Sequence, residues 1–285
     1  MEPRVMRLLV WCADQPGIVS AVSAFLFGAG ANIVTSDQYS SDPKGGQFFL
    51  RMEFTLPADG EPLGALTARF GEEVAGRFAM GFRFWDASER KKVALLVSRY
   101  DHCLLDLLWR WRRGELEAEI VMVASNHPDL RPEVEFFELP YYHVPVSAET
   151  KDEAEEKLLS LVVGDCDLVV LARYMQILSP DFLERVAVPV INIHHSFLPA
   201  FAGAGPYARA KERGVKLIGA TAHYVTEELD AGPIIEQDVI RVSHRDSVPE
   251  LEQRGADIER TVLARAVQWH CQDRVIRHGN TTVVF

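Results

Sequence analysis

The chain has 285 residues, a net charge of -11 and a hydrophobic fraction of 48%. This length suits two globular domains, and the apolar fraction is sufficient for two cores. The acidic balance disfavours nucleic-acid binding, because a surface that follows phosphates needs clustered Lys and Arg. No apolar run approaches the roughly 20 residues of a membrane span, and no secretory signal pattern opens the chain. We therefore predict neither a nucleic-acid nor a membrane partner.

The first 85 residues alternate as strand, helix, strand, strand, helix and strand. These segments are 7–11, 17–28, 33–39, 47–54, 63–70 and 80–85. The order predicts a ferredoxin-like α+β domain over residues 1–85.

The turn that enters the first helix carries the most specific pattern of this domain. Segment 14–19, followed by segment 30–33, resembles an ACT domain, a small module that senses amino acids and pairs its sheet with another copy. The resemblance implies that Asp14, Gly17 and Asn32 bind an amino-acid effector, where free helix amides offer donors. The sequence is equally consistent with a helix-capping role for Asp14 and a packing role for Gly17. A homodimer or homotetramer is expected from the unpaired sheet edge.

A polar run at residues 86–92 predicts a short linker to a second domain at residues 93–285. This domain opens with a buried strand and contains further apolar strands: 93–97, 167–172, 190–194 and 218–225. Continuous apolar strands are typical of a Rossmann-like, mostly parallel sheet. The predicted fold class is therefore α/β, with the ferredoxin-like domain in front.

The turn after strand 93–97 lacks glycine. It reads Ser98-Arg99-Tyr100-Asp101-His102-Cys103, so bulky side chains and an acid stand where a bound phosphate would need free backbone amides. Asp101 also fits the N-cap of an amphipathic helix at residues 104–113. Cys103 next to His102 leaves a nucleophilic cysteine as an alternative, although adjacent helical residues point in different directions.

The cysteines indicate the compartment of the chain and the kinds of site that it lacks. Cys12, Cys103, Cys166 and Cys271 are widely separated, without the paired spacing of a zinc site or a disulfide framework. We predict no metal and a reducing, cytoplasmic location.

Three polar residues lie at the ends of the later strands or in the loops after them: Asn192, His194 and Asp230. Residues two apart on a strand share a face, so Asn192 and His194 can serve one site. Asp230 lies in the loop after strand 218–225, which can reach the edge where open α/β sheets bind ligands. An amide and an imidazolium can stabilise an oxyanion, and a carboxylate can orient the ring or take a proton from water. This set predicts metal-free chemistry at an acyl carbon.

Structural roles fit the same residues. Asn192 and His194 can satisfy loop backbone groups, and Asp230 can open a turn. His195 should face away from His194, and His223 continues a period-two pattern. We interpret both of these histidines as supporting residues rather than as a metal pair.

The downstream sequence resembles a known superfamily. The Asn-Ile-His element, a Leu-Pro loop and Leu-Asp-Ala-Gly-Pro-Ile-Ile are similar to folate-dependent formyltransferases and formyl hydrolases. Nearly end to end, the chain resembles the formyltetrahydrofolate deformylase family, through segments 98–108, 125–127, 194–199, 214–226 and 281–285. The resemblance implies hydrolysis of 10-formyltetrahydrofolate to tetrahydrofolate and formate, which supplies one-carbon metabolism and purine synthesis. It makes Asn192, His194 and Asp230 catalytic and requires no cofactor beyond the folate substrate.

The resemblance also implies substrate contacts after strand 167–172. There Arg173, Tyr174 and Met175 are expected to contact the pterin, largely through backbone groups, and Ser196 completes the substrate-binding set. Tyr174 and Met175 fit core packing as an alternative. Gly205 stands where these deformylases are expected to carry lysine, and a flexible or tight turn is predicted for its loop.

Two other functions remain open. A formyltransferase acting on a small amine would need a second substrate, and a non-catalytic sensor would bind an amino acid and folate without turnover. The turn at residues 98–103 favours hydrolysis, because a nucleotide acceptor would find no glycine-rich phosphate loop there. The negative net charge disfavours a tRNA acceptor.

Overall fold

The computed structural model describes residues 3–42, 44–199 and 205–285, which form two compact units. The first unit runs to Arg90 and also includes Gln272–His278 and Val283–Phe285; the second comprises Lys91–Cys271 and Gly279–Thr282. The predicted linker is shorter than expected, because Asp86 still belongs to a strand and Lys91 already begins the next one. Within the described ranges, no helix combines the length and apolarity that crossing a bilayer requires.

The first unit contains the predicted ferredoxin-like order. Its elements are β1 (Arg4–Ala13), α1 (Ile18–Gly28), β2 (Asn32–Ser40), β3 (Gln47–Leu56), α2 (Leu63–Phe70), a π-helical turn (Gly71–Ala75), α3 (Gly76–Phe78) and β4 (Gly81–Asp86). The strands lie in the order β2-β3-β1-β4, and every neighbouring pair is antiparallel. Alternate residues of β1 and β3, such as Leu8 and Leu50, pack against the helices in one core.

The second unit holds the larger sheet. Its elements are β5 (Lys91–Val97), α4 (His102–Arg112), β6 (Ala118–Ser125), α5 (Arg131–Phe136), β7 (Tyr141–His143), α6 (Lys151–Val162), β8 (Leu168–Ala172), α7 (Pro180–Val186), β9 (Val190–His194), α8 (Pro206–Arg213), β10 (Leu217–Tyr224), β11 (Ile234–Arg241) and α9 (Val248–Cys271). The strand order is β11-β10-β9-β8-β5-β6-β7. Strands β9, β8, β5, β6 and β7 are parallel to their neighbours in this group. Strand β10 is antiparallel to both of its neighbours, β9 and β11. The mostly parallel, Rossmann-like prediction is confirmed.

Helices cover both faces of this sheet, which explains why its central strands are apolar throughout. Leu96, Val169 and Leu171 pack with α6 and α7 in one core. Helix α9 contacts α4 and strands β9, β10 and β11. The carboxyl ends of β5, β8 and β9 are therefore the places where polar side chains can gather between the two layers.

The end of the chain departs from the predicted domain division. Strands β12 (Val275–His278) and β13 (Thr281–Val284) form a two-stranded sheet. Ile276 packs on Leu9 and Phe49, which face away from the helices of the first unit. Arg51 donates hydrogen bonds to the carbonyl oxygens of Asp273, at 3.0 Å, and Gln272, at 3.1 Å. Residues that the sequence assigned to the second domain thus help to build the first unit.

Candidate active site

The carboxyl end of β9 brings the three predicted catalytic residues together. Asn192 pairs with His223 across the β9–β10 register, and His194 is the last residue of β9. Asp230 lies in the loop between β10 and β11, and its Oδ1 is 3.2 Å from Nδ1 of His194. The amide nitrogen of Asn192 lies 3.3 Å from Nε2 of His223. An amide, two imidazoles and a carboxylate therefore share one site.

The contact with Asp230 determines which nitrogen of His194 is available to a substrate. The hydrogen bond from His194 lowers the pKa of Asp230 below its ordinary value, although burial opposes this effect. Asp230 is therefore ionised and accepts the proton on Nδ1 of His194. The opposite nitrogen, Nε2, is buried and has no hydrogen-bond partner among the described residues. Nε2 is thus the atom of His194 that can exchange a hydrogen bond or a proton with a reacting group.

His223 also belongs to this site. The period-two sequence pattern predicts only a supporting role for it. Its Nδ1 lies 2.9 Å from the carbonyl oxygen of Tyr224, so Nδ1 carries a proton and donates it. Burial lowers the pKa of His223, which keeps the ring neutral and leaves Nε2 as an acceptor. The distance from this Nε2 to Oδ1 of Asp230 is 3.8 Å. The lone pair on Nε2 therefore faces the amide group of Asn192.

A cleft opens directly beside the trio. Its lining comes from the end of β8, the loop after it, β9, and the loop between β10 and β11: Leu171, Gln176, Ile177, Leu178, Asn192, His223, Val225, Thr226, Glu227, Glu228, Leu229 and Asp230. Apolar side chains alternate here with polar ones, and the cavity volume is about 60 Å³. Asn192 and Asp230 line this cavity directly.

The three predicted contacts after β8 point in different directions. Tyr174 is only 2% exposed and packs in the core with α6 and α7, so its side chain does not line the cleft. Arg173 is also buried and forms an ion pair with Glu259, with Nε 3.4 Å from Oε2. Met175 is exposed. Both Arg173 and Met175 have positive φ, 63° and 60°, which breaks the alternation that would place their side chains together.

Ser196 and Gly205 do not line this cleft. Ser196 is buried and lines a separate apolar cavity of about 300 Å³ together with Phe197 and Tyr207. Gly205 precedes α8 with φ 64°, a left-handed conformation that glycine adopts without strain and that lysine does not. The rest of the predicted loop turn, residues 200–204, lies outside the described residues.

The predicted effector residues lie at the entrance to α1. Asp14 accepts a hydrogen bond from the hydroxyl of Ser40 at 2.5 Å, and α1 has no side-chain cap, so Asp14 is not the helix cap. Gly17 occupies the position before the helix with φ 96°. Asn32 begins β2 and is exposed. Their role in binding an effector stays a prediction.

One group of side chains in the second unit has the composition of a metal site. The ligand atoms of His102, Cys103 and Glu259 lie within 4.8 Å of one another. Burial raises the pKa of Cys103 well above its usual value, so the thiol keeps its proton. Glu259 already accepts a hydrogen bond from His102 and pairs with Arg173. A buried, protonated thiol is neither a good metal ligand nor a good nucleophile. Both roles are therefore disfavoured for Cys103.

Comparisons with known proteins identify the family of the chain. The formyl transferase family model matches residues 91–267, and the ACT domain model matches residues 6–73. A formyltetrahydrofolate deformylase of Mycobacterium bovis is 60% identical over 279 residues, which cover 98% of this chain and 90% of the relative.

Solved structures show the same relationship. A formyltetrahydrofolate deformylase of Pseudomonas syringae superposes with a TM-score of 0.94 at 50% identity, covering 100% of this chain and 95% of that one. Glycinamide ribonucleotide transformylase 1 of Symbiobacterium toebii superposes with a TM-score of 0.66 at 26% identity, covering 71% of this chain and 96% of its own. The chain therefore belongs to the formyl transferase family and, within it, to the formyltetrahydrofolate deformylases.

Proposed function

We propose that this protein hydrolyses 10-formyltetrahydrofolate to tetrahydrofolate and formate. The observation that carries the proposal is the convergence of Asn192, His194 and Asp230 at one strand end, beside a cleft that Asn192 and Asp230 line. The identity of the substrate is inferred from the formyltetrahydrofolate deformylases, which this chain resembles over nearly their whole length. Released formate serves one-carbon metabolism and purine synthesis.

The reaction begins with water at the formyl carbon. As the water attacks, Nε2 of His194 takes the proton that the water loses. The Asn192 amide and the newly protonated Nε2 then donate hydrogen bonds to the negatively charged formyl oxygen. Asp230 orients the His194 ring through its contact with Nδ1. The bond between the formyl carbon and the folate nitrogen then breaks, and His194 delivers the proton that this nitrogen requires.

The pterin ring occupies the cleft between the loops that follow β8 and β10. Gln176, Ile177 and Leu178 line the cleft, and in this proposal their backbone groups contact the ring. Arg173 and Tyr174 do not share this role through their side chains, because one is paired with Glu259 and the other lies in the core. The segment from Thr226 to Asp230 closes the opposite wall.

The first unit regulates the enzyme in this proposal. Its ACT domain binds an amino-acid effector near Asp14, Gly17 and Asn32, where the start of α1 leaves amide groups free. A homodimer or homotetramer forms through this domain. Light scattering with and without glycine or methionine tests assembly, and equilibrium dialysis of Asp14→Ala tests the effector contact.

Formate release without any acceptor tests the function. Purified protein mixed with 10-formyltetrahydrofolate alone should release formate and tetrahydrofolate in equal amounts. Asn192→Ala, His194→Ala and Asp230→Asn should each lower kcat by at least about a hundredfold, the usual scale for oxyanion donors and acid-base groups. Circular dichroism checks that each variant is folded. A wild-type enzyme that releases formate only when an amine is added would contradict hydrolysis.

A further inference from the structure

A buried polar cluster lies next to His195 and does not line the cleft. We call its four members, His102, Arg173, Tyr207 and Glu259, the acceptor-side cluster. Glu259, on α9, is 1% exposed and accepts hydrogen bonds from Tyr207, at 2.6 Å, and from His102, at 2.8 Å. The Nε atom of Arg173 lies 3.4 Å from the same carboxylate. Four elements thus converge on one buried charge.

The charge of this cluster is fixed by its partners. Burial opposes ionisation of Glu259, but the hydrogen bond from His102 and the charge of Arg173 outweigh it and lower the pKa of Glu259 to about 2. The carboxylate is therefore ionised, and Arg173 is its buried counter-ion. Breaking such a pair by moving one partner is costly, because the other charge then remains buried alone. The cluster is a fixed part of the site wall.

Arg173 adopts an unfavourable backbone conformation to reach Glu259. Strict alternation along β8 would place residue 173 on the face of Leu171, toward α6 and α7. Its φ of 63° turns the side chain toward α9 instead, at a strain that glycine would avoid. The Nε and Nη1 groups of Arg173 are buried and have no hydrogen-bond partner among the described residues. A strained backbone and unused donors both indicate a role beyond packing.

His195 links this cluster to the trio. The charges of Arg173 and Glu259 both act on His195. The ring of His195 lies 5.2 Å from that of His194 and 6.1 Å from that of Tyr207.

We propose that Arg173 and Glu259 are specificity-determining residues that restrict the formyl acceptor to water. This inference rests on the proposed function. In hydrolysis, a water oxygen bonds to the formyl carbon, the carbon–nitrogen bond to folate breaks, and the folate nitrogen takes a proton. In transfer, an amine nitrogen forms that bond instead and leaves as an N-formyl product. In this proposal the acceptor reaches the formyl carbon past the cluster. Water is small enough to pass beside the fixed ion pair, whereas a larger amine would have to displace it.

The test measures how the formyl group is divided between two acceptors. Wild-type enzyme and an Arg173→Gly, Glu259→Gln double variant are mixed with 10-formyltetrahydrofolate and hydroxylamine, and formate and formohydroxamate are both quantified. Glycine suits the backbone at residue 173, and the neutral amide at position 259 leaves no unpaired charge. The hydroxamate-to-formate ratio, corrected for the reaction without enzyme, should rise by at least about tenfold in the double variant, which is a difference of about 1.4 kcal/mol between barriers.

Matched variants separate specificity from loss of structure. Glu138→Gly changes an exposed residue with φ 62° that belongs neither to the cleft nor to the cluster, and it should leave the ratio as in the wild type. Arg173→Lys keeps a positive charge and should shift the ratio less than Arg173→Gly. Tyr207→Phe removes one donor to Glu259 with little change of shape, so it should raise the ratio slightly even if the double variant does not fold.

Each outcome decides between the two proposals. An unchanged ratio in folded Arg173→Gly and Tyr207→Phe, or an equal fall of both products, would overturn the role of the cluster while leaving hydrolysis intact. A wild-type enzyme that makes hydroxamate but never formate would instead overturn the proposed function. A raised ratio in the cluster variants, with Glu138→Gly unchanged, supports the inference.

Discussion

Asn192 owes its orientation to His223. Because Nδ1 of His223 donates to the carbonyl of Tyr224, its neutral ring presents Nε2 as an acceptor. The amide nitrogen of Asn192 must then face His223 at 3.3 Å, since a reversed amide would set two acceptors against each other. The second amide hydrogen stays available for the formyl oxygen. His223 is thus a positioning residue for the oxyanion donor.

Two substitutions of His223 separate its two hydrogen bonds. His223→Asn keeps a donor near the position of Nδ1 but loses the acceptor for Asn192, so kcat should fall by about ten- to a hundredfold. His223→Gln keeps an acceptor near the position of Nε2 and should retain more activity. Steady-state kinetics with 10-formyltetrahydrofolate should show the loss mainly in kcat and little in KM. Equal loss in both variants would mean that burial, not the bond to Asn192, is what matters.

Among the secondary-structure elements, helix α9 positions the acceptor-side cluster. Its buried stripe, which includes Leu251, Gly255, Glu259 and Val262, recurs every three or four residues and packs toward the sheet. A Cβ atom on Gly255 would lie 1.9 Å from the hydroxyl of Tyr207. Glycine is therefore required at this point of the helix so that Tyr207 can reach Glu259 one turn away.

Gly255→Ala tests this close approach. Alanine favours a helix by roughly 1 kcal/mol over glycine, yet the clash with Tyr207 should outweigh this gain and destabilise the protein by about 1 to 3 kcal/mol. The melting temperature, measured by calorimetry, should fall. Gly64→Ala in α2 meets nothing within 4 Å and serves as the matched control, which should be neutral or stabilising. A Gly255→Ala protein as stable as the wild type would contradict the tight contact.

Buried histidines couple the stability of the protein as a whole to pH. Burial, with a smaller effect of the charge on Arg173, lowers the pKa of His195 to about 4. Burial also lowers the pKa of His223. The histidines of the unfolded chain titrate at about pH 6.5. Below this pH the unfolded chain therefore binds protons that the folded protein does not bind. Stability contributed by neutral His195 is therefore complete above about pH 6.5 and decreases as the pH falls toward 4.

Unfolding in urea at several pH values measures this coupling. Between about pH 7 and pH 5, His195 alone should remove about 1 to 2 kcal/mol from the free energy of unfolding. His195→Asn, which does not titrate, should make the pH dependence shallower by that amount. His244→Asn replaces an exposed histidine and should leave the pH dependence of the parent unchanged. The same slope in His195→Asn and the parent would show that residue 195 is not held neutral.

The amino-acid sequence alone was enough to predict the two domains, their fold classes and the trio. Apolar runs and strand periodicity are local properties, so strands β5, β8, β9 and β10 were predictable, and residues two apart on β9 had to share a face. The resemblance of the chain to a family then indicated the chemistry. Segment boundaries moved by a few residues, because hydrogen bonding in the sheet rather than periodicity sets where a strand ends.

Contacts between residues far apart in the chain depended on the folded structure. The bond between Asn192 and His223 depends on the β9–β10 register, and the pairing of Arg173 with Glu259 depends on a left-handed backbone that alternation cannot predict. The packing of Ile276 on the first sheet likewise joins the two ends of the chain. Local patterns carry no information about such contacts, because strand order and helix packing are settled by the burial of the whole chain.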